Sequence, residues 1–178
     1  MKYYLYHYYE QDRGSFKNLS SLSLEAGEEV LRQLKLDADV FASKRSDDYL
    51  KVRRDLENRA RNLFIAKGGK PRQQYPHYMT LGECRWIQEW YRDGRVVRID
   101  LEKFSPETIS FSYGDLFPTM RYKDSKEYRG QIYTKSEIID LIKRYGLPQQ
   151  WNPDGNKGPE RYIEVQVWEM IDASNMKF

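Results

Sequence analysis

Two side chains near opposite ends of the chain could do chemistry together, His7 in an aromatic run and Glu164 in a late apolar segment. A histidine can hydrogen-bond to a sugar hydroxyl or a ring, and a carboxylate in a cleft can take a proton or stabilise a developing positive charge. Each also has a structural interpretation, because His7 can be satisfied by a backbone carbonyl and Glu164 can face solvent. A sheet that contains both segments would bring them together, so we predict both as catalytic candidates.

A second candidate site is an arginine-rich helix. Apolar residues recur every three or four positions from Tyr49 to Leu63 and predict an amphipathic helix. Four arginines on or beside its polar face could bind the phosphates of a nucleic acid, with Tyr75 and Tyr78 available for stacking. These arginines are Arg53, Arg54, Arg59 and Arg61. The ordinary alternative is a solvated helix face.

Other kinds of chemistry have little support in the sequence. With 2 histidines and 1 cysteine, a structural zinc site is not expected, and we predict no metal. The segment from Lys67 to Lys70 lacks the spacing of a phosphate loop, and no dinucleotide-binding glycine fingerprint follows a strand. We expect Cys84 to be an inert, small hydrophobic residue.

The order of the elements predicts an α+β fold. We expect strands over 3–9, 97–101, 109–113 and 162–168, and helices over 24–36, 49–66, 83–91 and from Thr134, where Glu137 completes a capping box. The two middle strands are predicted to pair with each other. We expect one domain over 1–178, a mainly antiparallel sheet with three to four helices packed on it, and a frayed tail over 172–178.

Several polar positions have a plain and a functional interpretation. Ser110 and Ser112 alternate with apolar residues, so we expect them on a solvated sheet face. The following turn through Gly114 is expected to be only a turn. The loop over 151–159 is rich in polar and aromatic residues and is an equally good candidate for a connector or a binding loop.

The overall composition limits the partners. The formal charge of +3 is too small to imply nucleic acid by itself. A single cysteine fits a reducing compartment, and neither a signal peptide nor an apolar run of membrane-spanning length is visible. We therefore expect a cytoplasmic protein without a membrane partner. A small molecule, a nucleic acid or another protein each remains a candidate ligand.

The segments together resemble the ADP-ribosyltransferase superfamily. The resemblance rests on Leu5-Tyr6-His7-Tyr8, on the strand from Val96 to Leu101 and on Glu164. It implies NAD as cofactor, His7 orienting the nicotinamide ribose, an aromatic residue stacking on nicotinamide, and Glu164 bonding the ribose during C–N cleavage. On this basis Tyr8, Tyr78 and Gln166 are assigned to cofactor binding.

The sequence departs from that pattern at one point. Many members place a Glu or Gln two residues before the catalytic glutamate, whereas Glu164-Val165-Gln166 has the reverse order. If Gln166 holds the catalytic position, transferase activity would be lost or altered. The chain also resembles a family of small uncharacterised bacterial proteins, which implies no mechanism.

Overall fold

A five-stranded antiparallel sheet organises residues 2–37 and 41–171, which the computed structural model describes. The strands are β1 (Tyr4–Glu10), β2 (His77–Leu81), β3 (Gly94–Asp100), β4 (Ile109–Tyr113) and β5 (Ile163–Val167), in the order β3-β1-β2-β5-β4. The predicted pairing of the two middle strands is wrong, since β3 pairs with β1 and β4 with β5 at opposite edges. The predicted tail over 172–178 lies outside the described residues.

The described residues also form five α-helices, which confirms the α+β prediction. They are α1 (Leu24–Lys35), α2 (Tyr49–Ala66), α3 (Leu116–Arg121), α4 (Lys135–Tyr145) and α5 (Pro148–Trp151). The capping box that starts α4 is present with both of its hydrogen bonds, between Thr134 and Glu137. The short helix predicted over 83–91 is a 3₁₀-helix, Arg85–Trp90. None of the described helices is long and apolar enough to cross a membrane.

One face of the sheet carries the main core. Residues opposite each other in register share a face, so Leu5, Leu81 and Ile163 lie side by side. Together with Phe111, Val165 and other buried residues they pack against Ile138 and Leu141 of α4. We call this the core face. The candidate site lies on the opposite face of the sheet.

The opposite face, the cleft face, is polar and yet largely buried. Thr80, Glu164 and Ser112 lie in one row across β2, β5 and β4. Tyr78, Gln166 and Ser110 form the next row. The prediction that Ser110 and Ser112 are solvated is wrong, because both are 0% exposed. The cause is that α2 and α3 cover this end of the face through the cluster of Ala60, Phe64, Leu116, Met120 and Trp168.

Candidate functional site

A cleft of about 490 Å³ opens where α2 and α3 leave the cleft face uncovered. Its floor is the sheet, and its walls come from the 3₁₀-helices Phe41–Lys44 and Arg85–Trp90, the start of α2 and the start of α3. The lining residues with charged or phenolic side chains include Tyr8, Arg45, Tyr49, Arg53, Tyr78, Tyr91, Asp115, Arg161, Tyr162 and Glu164. The cleft therefore combines cations, carboxyls and aromatic rings.

Glu164 is the buried carboxyl in the floor of the cleft. It is 9% exposed, and its Oε1 accepts hydrogen bonds from the backbone N–H of Leu116 (3.2 Å) and from Gln166 Nε2 (3.5 Å). Burial, and next the negative charge of Asp115, raise the pKa of Glu164 well above its ordinary value. Both effects favour the neutral, protonated form of this carboxyl.

Gln166, predicted to bind a cofactor, lies behind Glu164. Its side chain is 0% exposed and bonds to Ser110, Ser112 and Glu164, and it is not among the residues that line the cleft. Trp168 Nε1 in turn donates to Ser110 Oγ at 2.8 Å. This arrangement gives Gln166 a contact with Glu164 and no open path to a ligand.

Asp115 is a second carboxyl at the cleft, in the turn for which we favoured a plain interpretation over a functional one. Gly114 precedes it with a φ of 111°, a conformation that favours glycine, and the turn makes Asp115 the N-cap of α3. Asp115 Oδ2 accepts from Arg161 Nη2 (3.2 Å) and from the Tyr162 hydroxyl (3.1 Å). The turn expected to be a plain connector thus places a second carboxyl beside Glu164.

One group of hydrogen-bonded side chains beside the cleft consists of Arg53, Glu57 and Tyr78. Arg53 Nε donates to Glu57 Oε1 at 2.9 Å, and the Tyr78 hydroxyl donates to the same oxygen at 2.8 Å. The Arg53 guanidinium lies 4.9 Å from the centre of the Tyr78 ring. The charge of Arg53 is therefore compensated within the protein, and the Tyr78 hydroxyl is already in use.

Arg45 differs from every other arginine in the cleft because it has no acidic partner. Its guanidinium lies 4.4 Å from the centre of the Tyr49 ring, and it makes neither a hydrogen bond nor an ion pair with any residue that the structure describes. Burial lowers its pKa. Arg53 is paired with Glu57 and Arg161 with Asp115, whereas the charge of Asp115 acts on Arg45 only from beyond ion-pair distance. Arg45 is therefore the cleft arginine with the least compensated charge.

Aromatic rings form the side walls. Tyr49 and Phe117 stack with ring centres 5.2 Å apart and planes 5° from parallel. Elsewhere along the lining, the Arg161 guanidinium lies 5.1 Å from the ring of Trp90. It also lies 5.5 Å from the ring of Trp86, which is not a lining residue. Tyr8 lies in the floor and accepts a hydrogen bond from the Cys84 backbone N–H at 2.6 Å. Trp90 is also stacked on Phe41, with ring centres 4.3 Å apart, so the lining of the cleft is largely aromatic.

His7 does not share a face with Glu164. In register it lies opposite Val97, a residue of the core face. Its Nδ1–H donates to the Tyr78 carbonyl and its Nε2 accepts from the Phe16 N–H, both at 2.9 Å. Burial lowers its pKa to about 4. Some atoms of His7 reach the cleft lining, but both ring nitrogens are occupied by backbone, as in the structural interpretation.

The four arginines of the predicted nucleic-acid site are engaged in the fold. Besides the Arg53–Glu57 pair, Arg54 donates to the carbonyls of Ser20 and Leu22, Arg59 to that of Met120, and Arg61 to those of Pro71 and Gln73. To reach phosphates they would give up these bonds.

Metal and thiol chemistry have no visible site. Among the described residues no group of three or more His, Cys, Asp or Glu side chains could hold a metal ion. Cys84 is buried, and burial raises its pKa to about 12, so the thiolate required for nucleophilic attack is not formed at neutral pH.

Comparisons with known proteins add no relative. No family model matches the chain, and neither a curated protein nor a solved structure is similar to it. The interpretation of the cleft therefore depends on its own geometry.

Proposed function

We propose that the cleft binds a nucleotide, with a phosphate against Arg45 and the base or another planar ring against the aromatic walls. The observation that carries this proposal is the guanidinium of Arg45, which is half-buried and forms no ion pair with any residue that the structure describes. Removing a cation from water is costly unless it is paired, and phosphate is one of the anions that a planar guanidinium binds with two parallel hydrogen bonds.

The walls favour a nucleotide over a simple anion. Tyr49, which stacks under Arg45, is itself stacked with Phe117, and Trp90 also lines the cleft. A volume of about 490 Å³ suits a mononucleotide or part of a dinucleotide. NAD, which the sequence resemblance implies, is therefore one of the ligands to test.

The binding experiment is a calorimetric titration with pyrophosphate, AMP, ADP, NAD and adenosine. We expect the phosphorylated nucleotides to bind more tightly than adenosine, and Arg45→Gln to weaken them by about tenfold to a hundredfold, the value of one charge-assisted hydrogen bond or two. Arg144→Gln is the matched control, because Arg144 is an exposed arginine at the end of α4. If none of these ligands binds at millimolar concentration, or if Arg45→Gln binds them as well as the wild type, the proposal is wrong.

Glu164 is the proposed chemical residue of this cleft. Proton NMR of the protein with NAD would follow free nicotinamide over hours. Release that is lost in Glu164→Gln would support a reaction of the kind that the resemblance implies. Release that persists in this variant would remove Glu164 from the chemistry and leave the cleft as a binding site.

A further inference from the structure

We infer that Glu164 is a proton donor toward the ligand, and that a buried chain of hydrogen bonds from Trp168 through Ser110 and Gln166 keeps its acidic proton on Oε2. The inference rests on the proposed function for the presence of a ligand. The position of the proton is a property of the protein alone and can be tested without one.

The hydrogen bonds of this chain all run in one direction. Trp168 Nε1 is only a donor, and it donates to Ser110 Oγ at 2.8 Å. The Ser110 hydroxyl therefore donates onward, to Gln166 Oε1 at 2.9 Å. With its oxygen so occupied, the Gln166 amide points its NH₂ group at Ser112 Oγ (3.1 Å) and at Glu164 Oε1 (3.5 Å).

This direction decides which oxygen of Glu164 carries the proton. Oε1 receives N–H groups from Gln166 and Leu116, so a proton on Oε1 would face two donors. Oε2 has no hydrogen-bond partner within residues 2–37 and 41–171, and it is not sealed from solvent. The neutral carboxyl therefore carries its O–H on Oε2, at the cleft.

The surrounding charges support a neutral carboxyl. Asp115, at the start of α3, faces Glu164 and opposes its ionisation, while Arg53 of α2 favours ionisation but is paired with Glu57. Tyr78 of β2 donates to that same Glu57, and Arg161 and Tyr162, which precede β5, are bonded to Asp115. None of these groups forms an ion pair with Glu164, in agreement with its raised pKa.

The chemistry follows from this placement. The Oε2–H bond breaks, and the proton goes to the ligand atom that keeps the electron pair of the breaking bond. Glu164 is left as a carboxylate, stabilised by the two N–H groups on Oε1, and solvent water returns its proton. In a hydrolysis, water also supplies the hydroxyl that replaces the leaving group.

This role narrows the substrate class. A group that would depart as an anion gains from a proton, whereas nicotinamide leaves NAD as a neutral ring and needs none. The proton donor therefore favours a nucleotide with an uncharged base or an oxygen-linked group as the leaving group.

The test is an NMR titration of protein labelled in its glutamate side chains, with the Glu164 signal assigned by its loss in Glu164→Gln. In the wild type we expect Glu164 to titrate well above 4.5, the ordinary value for glutamate. Gln166→Met removes a donor to Oε1 that stabilises the carboxylate, so the titration should move further upward. Thr108→Val, a buried hydroxyl bonded only to Ser105, is the matched control and should leave it unchanged.

Two results would overturn the inference: titration of Glu164 in the ordinary range, or an unchanged titration in Gln166→Met. If Gln166→Met does not fold, Ser110→Ala is the second variant, because it removes the hydroxyl that orients the Gln166 amide. It should also shift the titration of Glu164, and an unchanged titration in Ser110→Ala would contradict the proposed hydrogen-bond chain. A failure of nucleotides to bind would contradict the proposed function and leave the titration result standing, so the two failures are distinguishable.

Discussion

Arg45 and Arg53 line the same cleft and differ in what compensates their charge. Arg53 is paired with Glu57, which is 0% exposed, and Arg45 has only the face of Tyr49. The loss of one partner of a buried pair leaves the other as an uncompensated charge, whereas the loss of a half-buried cation without an ion pair removes a desolvation penalty. The two arginines should therefore respond in opposite ways to the same substitution.

We predict that Arg53→Met lowers the free energy of unfolding by about 3 kcal/mol, and that Arg45→Met leaves it unchanged or raises it. Urea denaturation of both variants and the wild type measures the difference. The double variant Arg53→Met/Glu57→Leu should recover much of the loss, because no charge then stays buried. Equal losses in the two single variants would show that Arg45 is also stabilised by the fold.

His7 gives a pH dependence whose sign follows from its burial. Its pKa is about 4 in the folded protein and near 6.5 when unfolded. As the pH falls below about 6.5, His7 binds a proton in the unfolded chain but not in the folded protein. This contribution to stability is complete above pH 6.5 and is lost as the pH falls toward 4.

We expect His7 to add a slope of at most ~1.4 kcal/mol per pH unit in this window, since a single proton is involved. Urea denaturation at several pH values between 4 and 7, on the wild type and on His7→Gln, isolates the contribution as the difference between their slopes. His7→Gln should be less stable at neutral pH and less sensitive to acid. Parallel curves would mean that His7 is protonated in the folded protein.

At the scale of elements, local sequence signals predicted the helices and strands better than they predicted which strands pair. The capping box at Thr134 and the helix predicted from Tyr49 depend on residues close in sequence, and both are present. The buried face of α2 differs from the predicted stripe, because its buried residues are Leu50, Glu57, Ala60 and Phe64. The partner of β3 depends on which strands lie inside the sheet, and β1 is an interior strand that pairs with both β2 and β3. No short-range pattern in the sequence encodes this choice.

Only part of the candidate site could be predicted, because local patterns identify elements and do not identify long-range contacts. Glu164 was found because it lies on a recognisable strand, and Arg53 because it lies on a recognisable helix. Arg45, Asp115 and Arg161 lie in connections, where their types resemble ordinary surface charges and only the tertiary fold brings them together. Glu57 was missed because a glutamate on an amphipathic helix is usually exposed.

The loop over 152–160 shows how a connection can position the site. Asn152 is 0% exposed; its Nδ2 donates to the carbonyls of Lys157 and Glu160, and its Oδ1 accepts from the Lys157 N–H. One side chain thus closes the loop immediately before Arg161. The loop predicted over 151–159 was an equally good candidate for a connector or a binding loop, and in the structure it supports a residue of the cleft.

We predict that Asn152→Ala lowers the free energy of unfolding by about 2–3 kcal/mol, because buried loop groups lose their partners. Misplacement of Arg161 should also weaken nucleotide binding. Asn156→Ala is the matched control, as Asn156 is exposed in the same loop, and it should change neither quantity. Chemical denaturation and calorimetry together would contradict the prediction if the two variants behaved alike.

At the scale of the whole molecule, the cleft brings together the two layers of the fold. Its floor belongs to the sheet, and Arg45 and Tyr49 belong to the helical layer that covers part of it. A ligand that contacts both layers binds only the folded chain, and such a ligand stabilises folding by mass action. Thermal stability therefore reports on occupancy without any assumption about the reaction.

We predict that a nucleotide at about one hundred times its Kd adds roughly 2.7 kcal/mol to the free energy of unfolding and raises the Tm by about 5–10 °C in a chain of this size. Arg45→Gln should keep the wild-type Tm without ligand and show little shift with it, because the lost interaction is with the phosphate. Adenosine should shift neither protein much at the same concentration. Differential scanning calorimetry would contradict this account if adenosine matched the nucleotide, since the phosphate would then contribute nothing and the charge of Arg45 would need another explanation.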